Sequence, residues 1–343
     1  MAVRIGFIGA GFITQMHLWF LSQATVEHEV VAVCDVDPER AAALAGPVGA
    51  AVLDEDGVIE AADAVYITTW TSEHPRLVAK VAAAGKAVFC EKPLGVDAGV
   101  VAGMVDDVEQ AGVINQVGLV MRFLGPSRLV RHLIADPRAG AVLAVSFRDD
   151  QYLPIQGQYG STWRADPALC GRGTMLEHSI HDVDVLRWWL GPVSALSART
   201  RTHHGYELID DVAAVRFDFE SGAVATLVSV WHDMLERQSG RHIEVLCERL
   251  HVVVEGDLFG PVRWQYTGEP EQSLKGRELE AHLVAVGDDR SNPAQAFLEA
   301  VRDGRPADPP FREALPAHAV VDAVYRSSDA DGAPERDPEA VRR

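Results

Sequence analysis

The stretch Gly171-Arg-Gly-Thr-Met-Leu-Glu-His-Ser-Ile-His-Asp-Val-Asp184 gathers more side chains able to move a proton than any other part of the chain. Leu186, Leu190 and the Trp188-Trp189 pair continue an apolar pattern that Gly191-Pro192 stops, so the spacing predicts a helix opening at the glycines. On it Glu177, His181 and Asp184 stand at i, i+4 and i+7 and share one face, which holds a carboxylate beside an imidazole. An imidazole titrates near neutral pH, so such a pair can relay a proton. Taken alone, the pattern fits a solvated acidic face with incidental histidines equally well. Lys92 is a second candidate, as one of only four lysines (Lys80, Lys86, Lys92, Lys275), placed in Glu91-Lys92-Pro93 directly after the apolar run Ala87–Cys90. His203-His204 and His232, with Glu177 or His178, raise the alternative of a metal centre. No two ligands outside the helix have a diagnostic spacing, and no metal is expected.

These groups need a scaffold, and the N-terminal third spells one out. Val3–Ile8 reads as a strand, Gly9-Ala-Gly11 as a tight turn, and Met16, Leu18, Trp19, Phe20 and Leu21 as a helix. This arrangement aims backbone N–H groups and a helix dipole at a pyrophosphate. Val30 to Cys34 forms a second strand that ends in Asp35, 24 residues after Gly11 (35 − 11). An acid there accepts both ribose hydroxyls of an adenosine and repels a 2′-phosphate, which predicts NAD over NADP. Thr14 occupies the third position of the fingerprint, where a glycine is usual. Further alternation follows: a helix capped by Asp37, a strand Ala64 to Thr68, a helix from about His74 to Ala84, the strand Ala87–Cys90, a helix capped by Asp97 and a strand Val113 to Val117. The expectation is a doubly wound parallel sheet over residues 1–121, with Lys92 emerging at the carboxyl end of a strand, where a nicotinamide would lie.

After Arg122-Phe123 the pattern changes. A helix from about Pro126 to Ile134 and a strand Val142 to Phe147 precede an irregular stretch, Gln151 to Cys170, that carries Tyr152, Tyr159, Trp163 and Arg164. Aromatic rings with hydrogen-bonding neighbours suit the apolar face and hydroxyl rim of a sugar, and ordinary loop packing suits them equally. Strands near Val193 to Thr200, Val212 to Phe219, Ala223 to Val230, Ile243 to Cys247 and Val252 to Glu255 follow without intervening helices, so their sheet should be open, mainly antiparallel and flanked by helices. Pro293 to Arg302 and Ala314 to Arg326 read as closing helices. The second domain is therefore expected over 122–328, and residues 329–343, rich in charge, Pro and Gly, as a disordered tail.

Composition narrows the function classes. A formal charge of −19 argues against nucleic acid or an anionic membrane as partner. No apolar run is long enough to span a bilayer, and Val3 already begins a strand, leaving no room for a targeting signal. Cys34, Cys90, Cys170 and Cys247 form no Cys-x-x-Cys pair, which suits a reducing, cytoplasmic setting.

With Gly9-x-Gly11, Asp35, Thr69-x-x-x-x-His74-Pro75, Glu91-Lys92-Pro93 and the Gly171–Asp184 stretch in hand, the chain resembles the glucose-fructose oxidoreductase / inositol dehydrogenase / rhizopine catabolism (Gfo/Idh/MocA) family over nearly its whole length. The resemblance implies an NAD-binding Rossmann domain followed by a substrate-binding and oligomerisation domain, a homodimer or homotetramer, and catalytic roles for Lys92 and His181. It implies cofactor contacts from Gly9, Gly11, Phe12, Ile13, Asp35, Thr69, Trp70, His74, Glu91 and Lys92. Glu177 stands where the family usually has Asp, Trp70 where it usually has Pro, and Arg172 and Ser179 where Gly is common.

The expected chemistry is hydride transfer between NAD and a secondary alcohol of a sugar, sugar derivative or cyclic polyol. His181 would take the hydroxyl proton, Lys92 would hydrogen-bond the reacting oxygen, and Glu177 would orient one of them or accept from a neighbouring substrate hydroxyl. Asp184 would serve as a structural partner. Arg122, Tyr159, Trp163 and Arg164, with Glu177 and His181, complete the expected substrate contacts. A redox-neutral, NAD-retaining glycosidase or epimerase would use the same residues, and a non-catalytic sugar or nucleotide sensor would use the same fold.

Overall fold

A computed structural model describes residues 2–237, 239–256 and 259–339. The chain forms two compact units, one running to Leu119 and regaining Asn292–Leu315, the other comprising Val120–Ser291 and the chain from Pro316 on.

In the first unit strands and helices alternate: β1 (Val3–Ile8), α1 (Phe12–Ser22), β2 (His28–Cys34), α2 (Pro38–Val48), β3 (Ala51–Val52), α3 (Glu55–Ala61), β4 (Ala64–Ile67), α4 (His74–Ala83), β5 (Ala87–Cys90), α5 (Ala98–Ala111) and β6 (Asn115–Val117). The six strands pair in parallel in the order β3-β2-β1-β4-β5-β6. The order reverses between β1 and β4, which makes the carboxyl ends of those strands the place for a ligand. β4 and β5 are buried along their whole length, as strands covered on both faces must be. Gly6 allows the close approach of α3, since a Cβ there would lie 2.5 Å from Val58 Cγ1. The helix Pro293–Asp303 places Ala294, Phe297 and Leu298 in this unit's core. The segment therefore belongs to the first unit, whereas the sequence reading gave it to the second domain.

The second unit is built on a nine-stranded sheet. Its elements are α6 (Gly125–Ala135), β7 (Val142–Tyr152), α7 (Pro167–Cys170), α8 (Thr174–Glu177), α9 (Ile180–Leu190), β8 (Val193–Arg201), β9 (Val212–Phe219), β10 (Val224–His232), β11 (Gly240–Cys247), β12 (Leu250–Glu255), β13 (Val262–Tyr266), β14 (Gln272–Leu274), α10 (Gly276–Ala285), the helix Leu315–Asp329 and β15 (Glu335–Arg336). The order is β14-β13-β12-β11-β7-β10-β9-β8-β15, antiparallel throughout except where β7 meets β10. One face of the sheet carries the core with α6, α9 and the helix Leu315–Asp329.

Three expectations are corrected here. β7 continues to Tyr152, so Gln151 and Tyr152 lie on a strand. The expected tail is ordered as far as Glu339: β15 pairs with β8, and the Glu339 carboxylate accepts from Arg187 and from Val193 N, each at 2.7 Å. Residues 340–343 lie outside the described residues. The helix read across 171–190 is broken into α8 and α9, with consequences for the site. Among the described residues no helix is long and apolar enough to cross a membrane.

Candidate active site

At the carboxyl ends of β1 and β2 the backbone forms the cradle that the glycines announced. Gly9 has φ 104°, and a Cβ there would strike the Thr68 carbonyl at 2.6 Å. Gly11 is the N-cap of α1, no side chain caps that end, and a Cβ on Gly11 would point into open space. The turn thus keeps its side-chain-free surface for a ligand. Asp35 shapes the adjoining loop, accepting from Ala10 N at 2.6 Å through Oδ2 and from Asp37 N at 2.8 Å through Oδ1. Each oxygen retains a lone pair, as recognition of two ribose hydroxyls requires. Thr14 replaces the expected glycine without loosening the packing: its buried hydroxyl donates to Gly9 O at 3.0 Å and meets Thr68 Oγ1 at 3.0 Å. Phe12 is exposed, and Ile13, Thr69 and Trp70 are half-buried. These residues fit a bound NAD.

The segment after β5 is held from two sides. Glu91 is buried, and its Oε1 lies 2.6 Å from His17 Nε2 on α1. Its Oε2 accepts from Lys92 N at 2.9 Å. Burial pushes the Glu91 carboxyl up, but the His17 hydrogen bond and the nearby charge of Lys92 hold it below its ordinary value. A carboxylate can only accept, so His17 Nε2 carries the proton. On the other side His74 Nδ1 lies 2.9 Å from Pro93 O, and Nε2 lies 3.3 Å from Thr69 O. His74, expected as a cofactor contact, is 1% exposed and ties Lys92's segment to the backbone that follows β4. Lys92 itself is half-buried.

In the second unit Asp210 sets up the Gly171–Asp184 stretch. Its carboxylate accepts from Gly173 N at 2.9 Å, Met175 N at 3.1 Å and Tyr325 Oη at 2.9 Å. Gly173 is obligatory, because a Cβ would run into the Asp210 backbone. α8 lasts one turn. Ser179 N then reaches back to Thr174 O at 2.8 Å, an i→i+5 bond, and α9 begins at Ile180. Glu177 and His181 consequently sit on either side of a break, not one turn apart on one helix as the spacing predicted. The buried Glu177 carboxylate accepts from Arg164 Nε at 2.9 Å, and the Arg164 guanidinium lies 4.3 Å from the Trp163 ring centre. Arg122 makes a two-pronged pair with the fully buried Asp184, at 2.8 and 2.6 Å. Tyr159 stacks toward Tyr152 with ring centres 5.3 Å apart. His181 is 8% exposed.

Glu177, Trp163 and Arg164 are therefore brought together, as are Arg122 and Asp184. Lys92 belongs to the first unit and His181 to the second. Sequence reasoning missed His17, Asp210, Asp149, Asp182, Ser229 and Arg241. Only Asp182 lay within the stretch it singled out, and the others come from distant strands and helices with no motif of their own. His204 Nδ1 lies 2.6 Å from Asp211, and among the described residues no three His, Cys, Asp or Glu side chains converge on a point fit for a metal ion.

Comparison with known proteins agrees with this geometry. Residues 3–119 match the profile of an oxidoreductase family with an NAD-binding Rossmann fold, and residues 127–253 match the GFO/IDH/MocA C-terminal domain. The chain is 30% identical over 345 residues to the inositol 2-dehydrogenase of Rhizobium meliloti (strain 1021), covering 95% of this chain and 97% of that protein. It is 34% identical over 346 residues to the inositol 2-dehydrogenase of Burkholderia ambifaria (strain MC40-6), covering 96% and 95%. The solved structure of the WlbA dehydrogenase from Bordetella pertussis, in complex with NADH and UDP-GlcNAcA, superposes with a TM-score of 0.84 at 25% identity, covering 98% of this chain and 97% of that one. With both halves matched and full-length relatives at this identity, the chain belongs to the GFO/IDH/MocA family of NAD-binding oxidoreductases.

Proposed function

We propose that this enzyme transfers hydride between NAD and a ring secondary alcohol of a cyclic polyol, with an inositol as the first substrate to test. The carrying observation is the pairing of a glycine turn and Asp35, built for NAD, with full-length relatives that are inositol 2-dehydrogenases. Bound NAD supplies the hydride acceptor. His181 accepts the hydroxyl proton, the role that an imidazole can fill as a general base. Lys92 donates to the reacting oxygen and stabilises the charge that develops there. Glu177 acts through Arg164, which it holds through Nε beside the Trp163 ring and whose remaining guanidinium N–H groups would donate to substrate oxygens. Asp184 holds Arg122 in the orientation it presents to substrate.

The test is a panel of inositols and aldoses with NAD and NADP, followed at the reduced-nicotinamide absorbance. Turnover of an inositol with NAD and accumulation of free NADH supports the reading. Turnover without free NADH assigns the chain to the redox-neutral class, and tight NAD binding with no sugar or polyol turned over assigns it to the sensors. The chain assembles as a homodimer or homotetramer through the open face of the second sheet, where Leu143, Val224, Val228 and Leu246 are exposed; sedimentation of the purified protein checks this. Four free cysteines suit work in the reducing cytoplasm.

A further inference from the structure

The break between α8 and α9 is held by one row of side chains across three strands. Ser229 on β10 faces Asp149 on β7, and Asp149 faces Arg241 on β11, in direct register. Ser229 Oγ meets both Thr174 Oγ1 and Ser179 Oγ at 2.7 Å, which closes the wide turn. Asp149 Oδ2 lies 2.8 Å from His178 Nε2 and 2.9 Å from the Arg241 guanidinium. Arg241 Nε in turn donates to Asp182 Oδ1 at 2.6 Å. Asp149, Asp182 and Arg241 are each at least 94% buried. Glu177 immediately precedes His178, and His181 immediately precedes Asp182. The Asp149–His178 and Arg241–Asp182 contacts therefore each bear on a residue adjacent to one of the two proposed working side chains, and the Asp149–Arg241 pair ties the two together.

Two carboxylates against one guanidinium leave an uncompensated charge in a water-poor site, which is costly. One proton removes it, whether it rests on the carboxyl pair or on His178. Burial pushes the Asp182 carboxyl up to about 8, Arg241 opposing and Asp149 adding to the rise. The groups facing the pair are Arg241 from β11 and His178 from the break, with the Ser229 hydroxyl next in the row on β10. Asp150, next along β7, points to the other face, where Arg237 at 2.8 Å and Arg148 at 3.1 Å neutralise it and His232 lies 3.9 Å away.

We propose that Asp149, Asp182, Arg241 and His178 are positioning residues that share one proton, and that this proton keeps the break between α8 and α9, hence Glu177 and His181, in working register. The inference rests on Glu177 and His181 being working residues. The proton belongs to the cluster and not to one member. As pH rises past about 8 the proton leaves, the excess charge returns and the turn loosens.

The test follows amide hydrogen exchange of the full-length protein over 174–183 between pH 7 and pH 9, corrected for the intrinsic chemical rate. Protection in the parent protein is expected to fall at least about tenfold, and in Asp182→Asn, which is neutral without a proton, less than about twofold. Asp149→Asn serves as the second variant: its carboxamide faces an ionised Asp182 paired with Arg241, again balanced without a proton, and it should behave alike. In parallel, kcat for inositol oxidation should fall above about pH 8 in the parent and stay level in both variants, with the KM for NAD unchanged. Protection that is equal at both pH values in the parent, or that falls equally in the variants, overturns the proposal. A parent protein with no turnover but with the stated exchange behaviour sinks the catalytic reading alone and leaves the proton-sharing cluster standing.

Discussion

His181 and Asp35 carry separable parts of the proposed reaction, and single substitutions divide them. His181→Ala removes the base and should lower kcat by about two to four orders of magnitude, the usual worth of a positioned acid–base group. NAD affinity, read by fluorescence titration, should stay within about twofold, because His181 lies in the second unit and the NAD cradle in the first. Asp35→Ala acts on the other half. It deletes the acceptor for the ribose hydroxyls and the charge that repels a 2′-phosphate, so the ratio of kcat/KM for NAD to that for NADP should fall at least about tenfold. An unchanged ratio would remove Asp35 from cofactor selection. Glu177 differs from these two because Arg164 already engages its carboxylate. That pairing is one that spacing could not reveal.

At the scale of elements, the turn before α8 depends on one glycine. Gly173→Ala pushes a methyl group into the Asp210 backbone, and the main chain cannot yield as a flexible side chain would. Overpacking of this kind costs about 1–3 kcal/mol. For a unit of this size each kcal/mol is worth about 2–4 °C, so the variant should melt about 2–12 °C lower by calorimetry, with turnover reduced because α8 ends in Glu177. The same region marks the limit of what the sequence discloses. The β-α alternation of the first unit was legible where a strand is a buried apolar run, as in β4 and β5, and where a helix carries a side-chain cap, as Asp37 and Asp97 provide. The helix break was not legible: its residues suit a helix, and the competing hydroxyl of Ser229 lies 50 positions from Ser179. Likewise Glu91 was visible as part of a motif, but its partner His17 looked like one more residue of an amphipathic helix. Local pattern finds elements, whereas the contacts that bend an element come from strands it does not adjoin in sequence.

At the scale of the whole molecule, the division into two units was foreseen, and the return of 292–315 to the first was not, since an apolar helix pattern does not say which sheet it covers. The end of the chain was misjudged for a similar reason. A charged, Pro- and Gly-bearing stretch reads as disordered until its carboxylates meet waiting guanidinium groups, as Glu335 meets Arg326 and Glu339 meets Arg187. Glu339 binds Arg187 through two 2.7 Å hydrogen bonds and caps Val193 N, while β15 covers the edge of β8. Hydrogen bonds to charged groups contribute about 1.5–3 kcal/mol each when partly buried, and an uncovered strand edge invites pairing with other chains. Ending the chain at Asp329 should therefore lower the melting temperature of the second unit by several degrees and increase light scattering on heating. NAD affinity, measured calorimetrically on the same truncated protein, should be unchanged, because its cradle lies in β1, α1 and β2 of the first unit. A truncated protein that melts like the parent would make the ordered terminus an ornament of the fold. A parallel loss of NAD affinity would instead mean that the two units depend on each other for folding.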